Sequence, residues 1–549
     1  MIPFEHALVL LLAVAALSVV SRWLPWPLPI TYAAGGLGCS LIPGFPQVAL
    51  DPGFFFLCFL PPLLFSDGWL MPLREFAKVK RSITLLATGL VLFTTVAVGL
   101  VAHALIPGLS LSMAFALGAV ISPTDAVAVS SITERLKVPT RLRTILTGES
   151  LMNDATGLVA FKAALAAAAA GAFSLRAASL QFLLVAAGGL AVGLAAGYGV
   201  GRLRDLLRRV RGSDAFVEVT LSLLTPYAAY LAAEGLGLSG VLAVVAAGLY
   251  SGWRDPLRMD VESRQTAWTV WSVVLRWLNG LAFVLLGLQF PHLLAEVRGD
   301  AAIPKLLEYV AVISGVAMAA RIIWFFPGAY LPFLLSSRVR MAEERPPWQA
   351  VFVGGWAGMR GVVTLAAALS IPLLLPDGTP FPGRDLVIFL SFGVIAATLL
   401  IQGTTTEWLI CRLGLQEDPT RLQEDHLART TAVDAGLAAL RALESELQAP
   451  EELAALGHVV AEYEHRLASL GERGETRTHA RRRRAAEKRF RSAALDAERA
   501  AVDDLWRRNV IADEVHRPLQ QLLDYEESML RSVPSSEELD LPAHIPKPE

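Results

Sequence analysis

Two short stretches carry the residue types that could do chemistry in this chain. One reads Ser122-Pro123-Thr124-Asp125-Ala126-Val127 and the other Gly148-Glu149-Ser150-Leu151-Met152-Asn153-Asp154. Both lie in long apolar runs, where a charge is costly and is a functional candidate by default. Pro123 removes a backbone donor and is expected to break a helix in mid-run. The carbonyls and helix ends this frees are tolerated at membrane depth only where they line a cavity or bind something. Asp125 stands beside the break, and even as an N-cap on a proline kink it would need a reason to lie so deep. In the second stretch a helix puts Ser150 and Asp154 on one ridge and Glu149 and Asn153 on the next. The two acids then point about 140° apart. Different roles are expected, one ridge facing a bound species and the other a neighbouring helix. Ser150 and Asn153 alone would also suit a polar stripe that glues helices together.

Other charges interrupt the apolar runs: Asp67, Glu218 and Glu407 among the acids, and Lys162, Arg276, Arg321 and Arg360 among the bases. For Glu407, Arg276 and Lys162, snorkelling to the interface is an equal reading. Arg321 and Arg360 are the expected counterweights to the acids. Arg360 sits in Gly354-Gly355-Trp356-Ala357-Gly358-Met359-Arg360-Gly361. Glycines at that density weaken a helix and admit a second backbone. A buried guanidinium there calls for a carboxylate partner.

The elements that must position these residues follow from hydropathy. The chain has 549 residues, 54% hydrophobic and 18% charged, which is too apolar for a soluble domain of this size. Residues 1–411 are apolar blocks joined by short basic loops. Residues 412–549 are charged throughout. A helix needs about 20 apolar residues to cross a bilayer. About thirteen segments qualify as candidates, at 4–21, 28–43, 53–70, 82–106, 111–132, 147–170, 178–201, 214–234, 238–252, 266–290, 306–331, 348–375 and 385–411. Alternate loops hold twenty Lys and Arg residues on one side and four on the other. The positive-inside bias therefore puts the N-terminus outside and the charged tail in the cytoplasm. Before the first apolar run stand Pro3, Glu5 and His6 and no basic residue, which is not the pattern of a signal peptide. The fold class expected is an all-α polytopic membrane protein with broken core helices, followed by a helical cytoplasmic tail.

Cys39, Cys58 and Cys411 fall in or at the end of apolar segments, with neither a disulfide framework nor zinc spacing. No Walker-type phosphate loop is present. In the tail, Pro450, Gly471, Gly474, Pro518 and Pro534 mark expected breaks. The basic run Arg481-Arg482-Arg483-Arg484 reads as a solvated helical face, or as a contact for anionic lipid or a partner subunit. Nothing there signals nucleotide or nucleic-acid binding. The final residues, rich in Pro, Glu and Asp, are expected to be disordered.

Taken together, the motifs resemble the cation–proton antiporter superfamily, specifically the NhaP-type branch that includes the animal sodium–proton exchangers. The residues that carry the likeness are Phe59-Leu60-Pro61-Pro62-Leu63-Leu64-Phe65-Ser66-Asp67-Gly68, Ser122-Pro123-Thr124-Asp125, Gly148-Glu149-Ser150-Leu151-Met152-Asn153-Asp154, Leu238-Ser239-Gly240-Val241-Leu242, Gly358-Met359-Arg360-Gly361 and Gln402-Gly403-Thr404-Thr405. They occur in the family's order across roughly residues 1–415. The Glu-Ser-x-x-Asn-Asp run with its upstream Pro-Thr-Asp is the most specific part.

The resemblance implies a core domain with broken helices and inverted repeats, on a scaffold that forms a homodimer in a bacterial inner membrane. It implies a transporter for pH homeostasis rather than an enzyme, with no cofactor and with Na⁺ and H⁺ as transported species. Asp154 would carry the ion or the proton, with Asp125, Ser150 and the Thr124 carbonyl as further Na⁺ ligands. Asn153 would join these ion- and proton-binding residues and, standing before the key acid, would mark electroneutral exchange of one cation for one proton. Glu149 would be held by Arg360, with Arg321 the rival. Such an oxygen-only site suits a hard cation, by extension of the rule for calcium and magnesium. Asp154 would hold a proton without a cation and release it when Na⁺ binds. A K⁺/H⁺ antiporter of the same fold, or a transporter-like membrane sensor signalling through the tail, are the alternative readings.

Overall fold

The computed structural model describes all residues except 1–3, 25, 47–50, 126–127, 129–137, 171–174, 298–302, 336, 338–344, 376–377, 416–418, 446, 448, 472–474, 509 and 533–549. Ala126 and Val127 of the first motif, the loop residues Arg135, Lys137, Arg298, Arg338 and Arg340, the side chains at 176 and 481–484, and the end of the chain with Pro534 lie outside the described residues. The chain divides into two compact units, Met1–Gln416 and Glu417–Glu549.

The first unit is helical. Its elements are α1 (Phe4–Val20), α2 (Leu28–Ser40), α3 (Pro52–Cys58), α4 (Leu60–Leu70), α5 (Leu73–Thr84), α6 (Val91–Leu105), α7 (Leu111–Ile121), α8 (Thr140–Ala170), α9 (Leu175–Arg211), α10 (Ala215–Gly235), α11 (Gly240–Arg258), α12 (Val261–Val297), α13 (Ile303–Leu335), α14 (Trp348–Trp356), α15 (Val362–Leu369) and α16 (Arg384–Arg412). A π-helical turn, Leu85–Leu90, joins α5 to α6. Starts are set locally. Asp51, Ser110, Asp214 and Ser239 each accept a backbone N–H of the helix they cap. Pro61 and Pro62 fall in the first turn of α4, where a missing donor costs little.

Each apolar segment read from the sequence overlaps a helix. Seven stretches among the described residues are long and apolar enough to cross a membrane: Pro52–Leu70, Leu73–Leu105, Leu183–Val210, Ala215–Gly235, Val261–Ala295, Ile303–Leu335 and Arg384–Arg412. The count of thirteen stays an expectation of hydropathy, because other segments are short, interrupted or charged. α7 stops just before Pro123, residues 348–369 are split between α14 and α15, and α8 carries Arg141, Arg143, Glu149, Asp154 and Lys162.

The interior forms two hydrophobic clusters among the described residues. One draws on α1, α2, α6, α7 and α12 to α16, and the other on α4, α8, α10 and α11 with Trp271. α8 borders both: Leu142, Leu146 and Phe161 belong to the first, Leu151 and Ala155 to the second. Ser150 and Asp154 therefore sit on the seam. Small residues bring the helices together. A Cβ on Gly287 of α12 would lie 2.1 Å from the Ala33 carbonyl oxygen of α2, so that crossing is backbone on backbone.

In the second unit the helices are α17 (Pro419–Glu444), α18 (Pro450–Gly471), α19 (Glu475–Arg507) and α20 (Asp513–Ser532). Pro450 opens a helix and Gly471 closes one. Pro518, an expected break, instead lies within α20, which continues through it to Ser532. Asp503 of α19 bonds His516 of α20 at 2.8 Å. That hydrogen bond holds the Asp503 carboxyl below the usual carboxylate range.

Overpacking the α2–α12 crossing should cost about 1–3 kcal/mol or more. Gly287→Val is expected to lower the thermal unfolding temperature of the purified protein. Gly199→Val, where nothing lies within 4 Å of the added carbon, is the matched control. Equal unfolding temperatures for the two variants would contradict the close crossing.

Candidate functional site

Two unwound segments meet in the first unit. α7 ends at Ser122, whose hydroxyl turns back to the Ala119 carbonyl at 2.9 Å, and residues 123–125 continue without helical structure. The second unwound segment, 357–361, separates α14 from α15. They are stitched together by the Asp125 N–H, which donates to the Met359 carbonyl at 2.9 Å. Each break strands carbonyls at the C-terminal, partly negative end of a half-helix.

A buried guanidinium answers each end. Arg360, 2% exposed, donates from Nε to the Ile121 carbonyl at the end of α7 and from Nη1 to the Gly358 carbonyl. Arg321, 1% exposed, donates from Nη2 to the Ala357 carbonyl at the end of α14, at 3.2 Å. Glycines make room. A Cβ on Gly358 would stand 2.3 Å from Cδ of Arg321, and one on Gly361 2.3 Å from Oδ2 of Asp125.

The expected pairing of Glu149 with Arg360 is not what the structure holds. Arg321 grips Glu149 with both terminal nitrogens, Nη1 on Oε1 and Nη2 on Oε2, the latter at 2.8 Å. Arg360 is instead consumed by carbonyls that the two breaks expose. A buried guanidinium needs acceptors, and a helix C-terminus supplies them as well as a carboxylate does. Glu149 is fully buried, and its fork-to-fork geometry ties α8 to α13.

Thr124 is held from three directions. Its hydroxyl donates to Glu149 Oε1 at 3.4 Å and accepts from Asn153 Nδ2 at 2.8 Å. Its carbonyl accepts from the Ser150 hydroxyl. The polar residues of both α8 ridges thus fasten the break. Asn153, expected at the ion, bonds Thr124 and does not line the cavity.

That cavity brings together Asp67, Thr124, Asp125, Ser150, Asp154, Asn279 and Thr364, walled by Phe55, Leu60, Leu63, Leu64, Phe283 and Val362. Four expected residues, Thr124, Asp125, Ser150 and Asp154, therefore share one space. Three others were missed. Asp67 was recognised as an acid in an apolar run but given no role. Its spacing with Leu60, Leu63 and Leu64 marks one helical face and could have found it. Asn279 is the one amide in its apolar stretch, Leu278-Asn279-Gly280-Leu281. Nothing in the sequence distinguishes Thr364. Elsewhere, Glu218 is taken by Arg208 at the end of α9, with Nε at 3.0 Å. Lys162 and Arg276 are exposed, and Glu407 is half-buried. Carboxylates, hydroxyls and a carbonyl converging on one enclosed space can replace the water shell of a small hard cation, and a proton can take its place on a carboxylate.

The family described as sodium/hydrogen exchanger, transmembrane matches residues 8–412. A "Sodium, potassium, lithium and rubidium/H(+) antiporter" of Bacillus pumilus is 40% identical over 406 residues, covering 72% of this chain and 60% of that protein. This chain thus spans about three-fifths of that relative's length. A Bacillus subtilis protein of the same name is 36% identical, over 94% of this chain and 77% of its own length. An uncharacterised Na⁺/H⁺ exchanger of Escherichia coli, YjcE, is 35% identical over 96% of this chain and 98% of its own. Among solved structures, the sodium proton antiporter MjNhaP1 of Methanocaldococcus jannaschii at pH 8 superposes with a TM-score of 0.57 at 18% identity. It covers 74% of this chain and 98% of its own, and at that identity the likeness is one of fold.

The corrected pairing makes a distinct stability prediction. Glu149→Gln and Arg321→Gln should each destabilise the protein by about 3–5 kcal/mol, since each leaves a buried charge alone. The Glu149→Gln, Arg321→Gln double variant should recover part of that loss, while Glu149→Gln with Arg360→Gln should show little recovery. Thermal unfolding of these variants with wild type and Arg360→Gln, six proteins in all, measures this, and recovery only with Arg360→Gln would assign Glu149 to Arg360.

Proposed function

The chain belongs to the sodium/hydrogen exchanger family, and from that premise we propose that it is a multi-pass secondary antiporter exchanging Na⁺ or Li⁺ for H⁺ at the Asp154 cavity. The observation that carries the reading is the convergence of Asp154, Asp125, Ser150 and Thr124 on one space beside two unwound helices. Asp154 binds either the cation or the proton, and that mutual exclusion is the coupling. Asp125, Ser150 and the second lone pair of the Thr124 carbonyl complete the cation's oxygen shell. Glu149 and Arg321 take no part in the exchange and hold α8 against both breaks. With Asn153 in place of a second acid before Asp154, one cation replaces one proton and the exchange is electroneutral. The protein works as a homodimer in the bacterial inner membrane, its N-terminus outside and residues 412–549 in the cytoplasm.

A second reading, K⁺ as a substrate, draws support from the Bacillus relatives, whose names include potassium and rubidium. The cavity's ligands are oxygen atoms that serve any alkali cation, so Na⁺, Li⁺, K⁺ and Rb⁺ belong in the same assay.

Purified protein in sealed vesicles should give cation-driven proton flux, and Asp154→Asn should abolish it while the protein still inserts and unfolds like wild type. Because the proton competes with the cation, the half-saturating cation concentration should rise as pH falls, approaching tenfold per pH unit on the acid side. On the alkaline side it should level off. A half-saturation value independent of pH, or full flux through Asp154→Asn, would overturn the mechanism.

A further inference from the structure

α12 reaches the cavity with Asn279 and Phe283. At about 100° per residue, Gln265, Ser272, Arg276, Asn279 and Phe283 fall in one sector of roughly 60°. Exposure along this sector rises steadily toward the start of the helix. Phe283 is buried, Asn279 is half-buried, and Arg276, Ser272 and Gln265 are exposed. A different side of the helix exposes Val273 and Trp277, at 43% and 52%, side chains suited to lipid. Arg276 lies about 22 Å from the first residue of α12, inside the stretch Val261–Ala295 that is apolar enough to cross a membrane. Among the described residues no ion pair or hydrogen bond engages its guanidinium. An arginine at that depth needs water, a headgroup or a partner. It stands only about 5 Å along the axis from a residue of the cavity wall, on the same side of the helix as Gln265, Ser272 and Asn279, and this continuity favours water.

We propose that the Gln265–Ser272–Arg276 face of α12 is the wetted wall of the vestibule leading to the Asp154 cavity, and that Arg276 is a specificity-determining residue there. The inference rests on the reading of that cavity as the transport site. A fixed positive charge at the throat raises the cost of every entering cation, and raises it twice as much for a divalent as for a monovalent one. It weakens the pull of Asp67, Asp125 and Asp154 on calcium and magnesium more than on a monovalent cation. By the loop-charge bias, the start of α12 and hence the vestibule face the cytoplasm.

The test uses the full-length protein with Cys39, Cys58 and Cys411 replaced by serine, carrying Arg276→Cys, in inside-out and right-side-out vesicles. Membrane-impermeant methanethiosulfonates, one positively and one negatively charged, are the probes. Labelling is expected from the cytoplasmic face only. At low ionic strength, loss of the charge should lower the half-saturating Na⁺ concentration about threefold and the inhibitory Ca²⁺ concentration about tenfold, as one versus two unit charges require. The positive reagent should restore both values, the negative one should lower them further, and concentrated choline chloride should shrink the differences. Arg276→Gln provides the same comparison without labelling.

Failure of the reagent to react would mean that lipid or a second copy covers this face, and would overturn the proposal. So would labelling that leaves both concentrations unmoved by the sign of the added charge. Absence of flux from wild type would instead sink the transport reading, while the pattern of labelling would still decide whether the face is wet.

Discussion

The ion pair between Glu149 and Arg321 is the constraint on which the rest of this structure depends. It is buried on both sides, so neither charge is tolerable without the other. Each partner also holds a broken helix: Glu149 accepts the Thr124 hydroxyl, and Arg321 donates to the Ala357 carbonyl. Through these bonds one salt bridge fixes both unwound segments relative to α8, and α8 carries Asp154. Remove the pair and the Thr124 hydroxyl and the Ala357 carbonyl each lose a partner, one in each break.

The charges near the cavity divide by job. Arg321 neutralises Glu149. Arg360 is spent on the carbonyls of Ile121 and Gly358. Asp67, Asp125 and Asp154 face the cavity itself. The cavity also lies where the two hydrophobic clusters adjoin, with Leu60 and Leu64 from one and Phe55, Phe283 and Val362 from the other.

Much of this was legible in the sequence, and what was not has a physical reason. A proline and an acid in mid-run announced the first break, the glycines around Arg360 announced the second, and the i,i+4 spacing of Ser150 and Asp154 put both on one helical ridge. Those are local signals. The choice between Arg321 and Arg360 was not local. Arg321 lies 172 positions from Glu149, and both arginines sit in apolar surroundings that call for a partner. Only the paths of the helices show that one reaches the carboxylate while the other meets a helix end. Asn279 and Thr364 join the cavity because α12 and α15 happen to pass it, and no spacing rule encodes that. The tail's helices followed from composition, but Pro518 did not break one: α20 runs through it, and nothing local in the sequence marks that.

The claim that one carboxylate carries both substrates is tested most directly by counting protons released when the cation binds. Purified protein in weakly buffered detergent solution, titrated with Na⁺ on the acid side of its working range, should release close to one proton for each Na⁺ bound. The Asp154→Asn protein should release none. Na⁺ binding by the wild-type protein with no proton release, or release that survives in Asp154→Asn, would contradict the account.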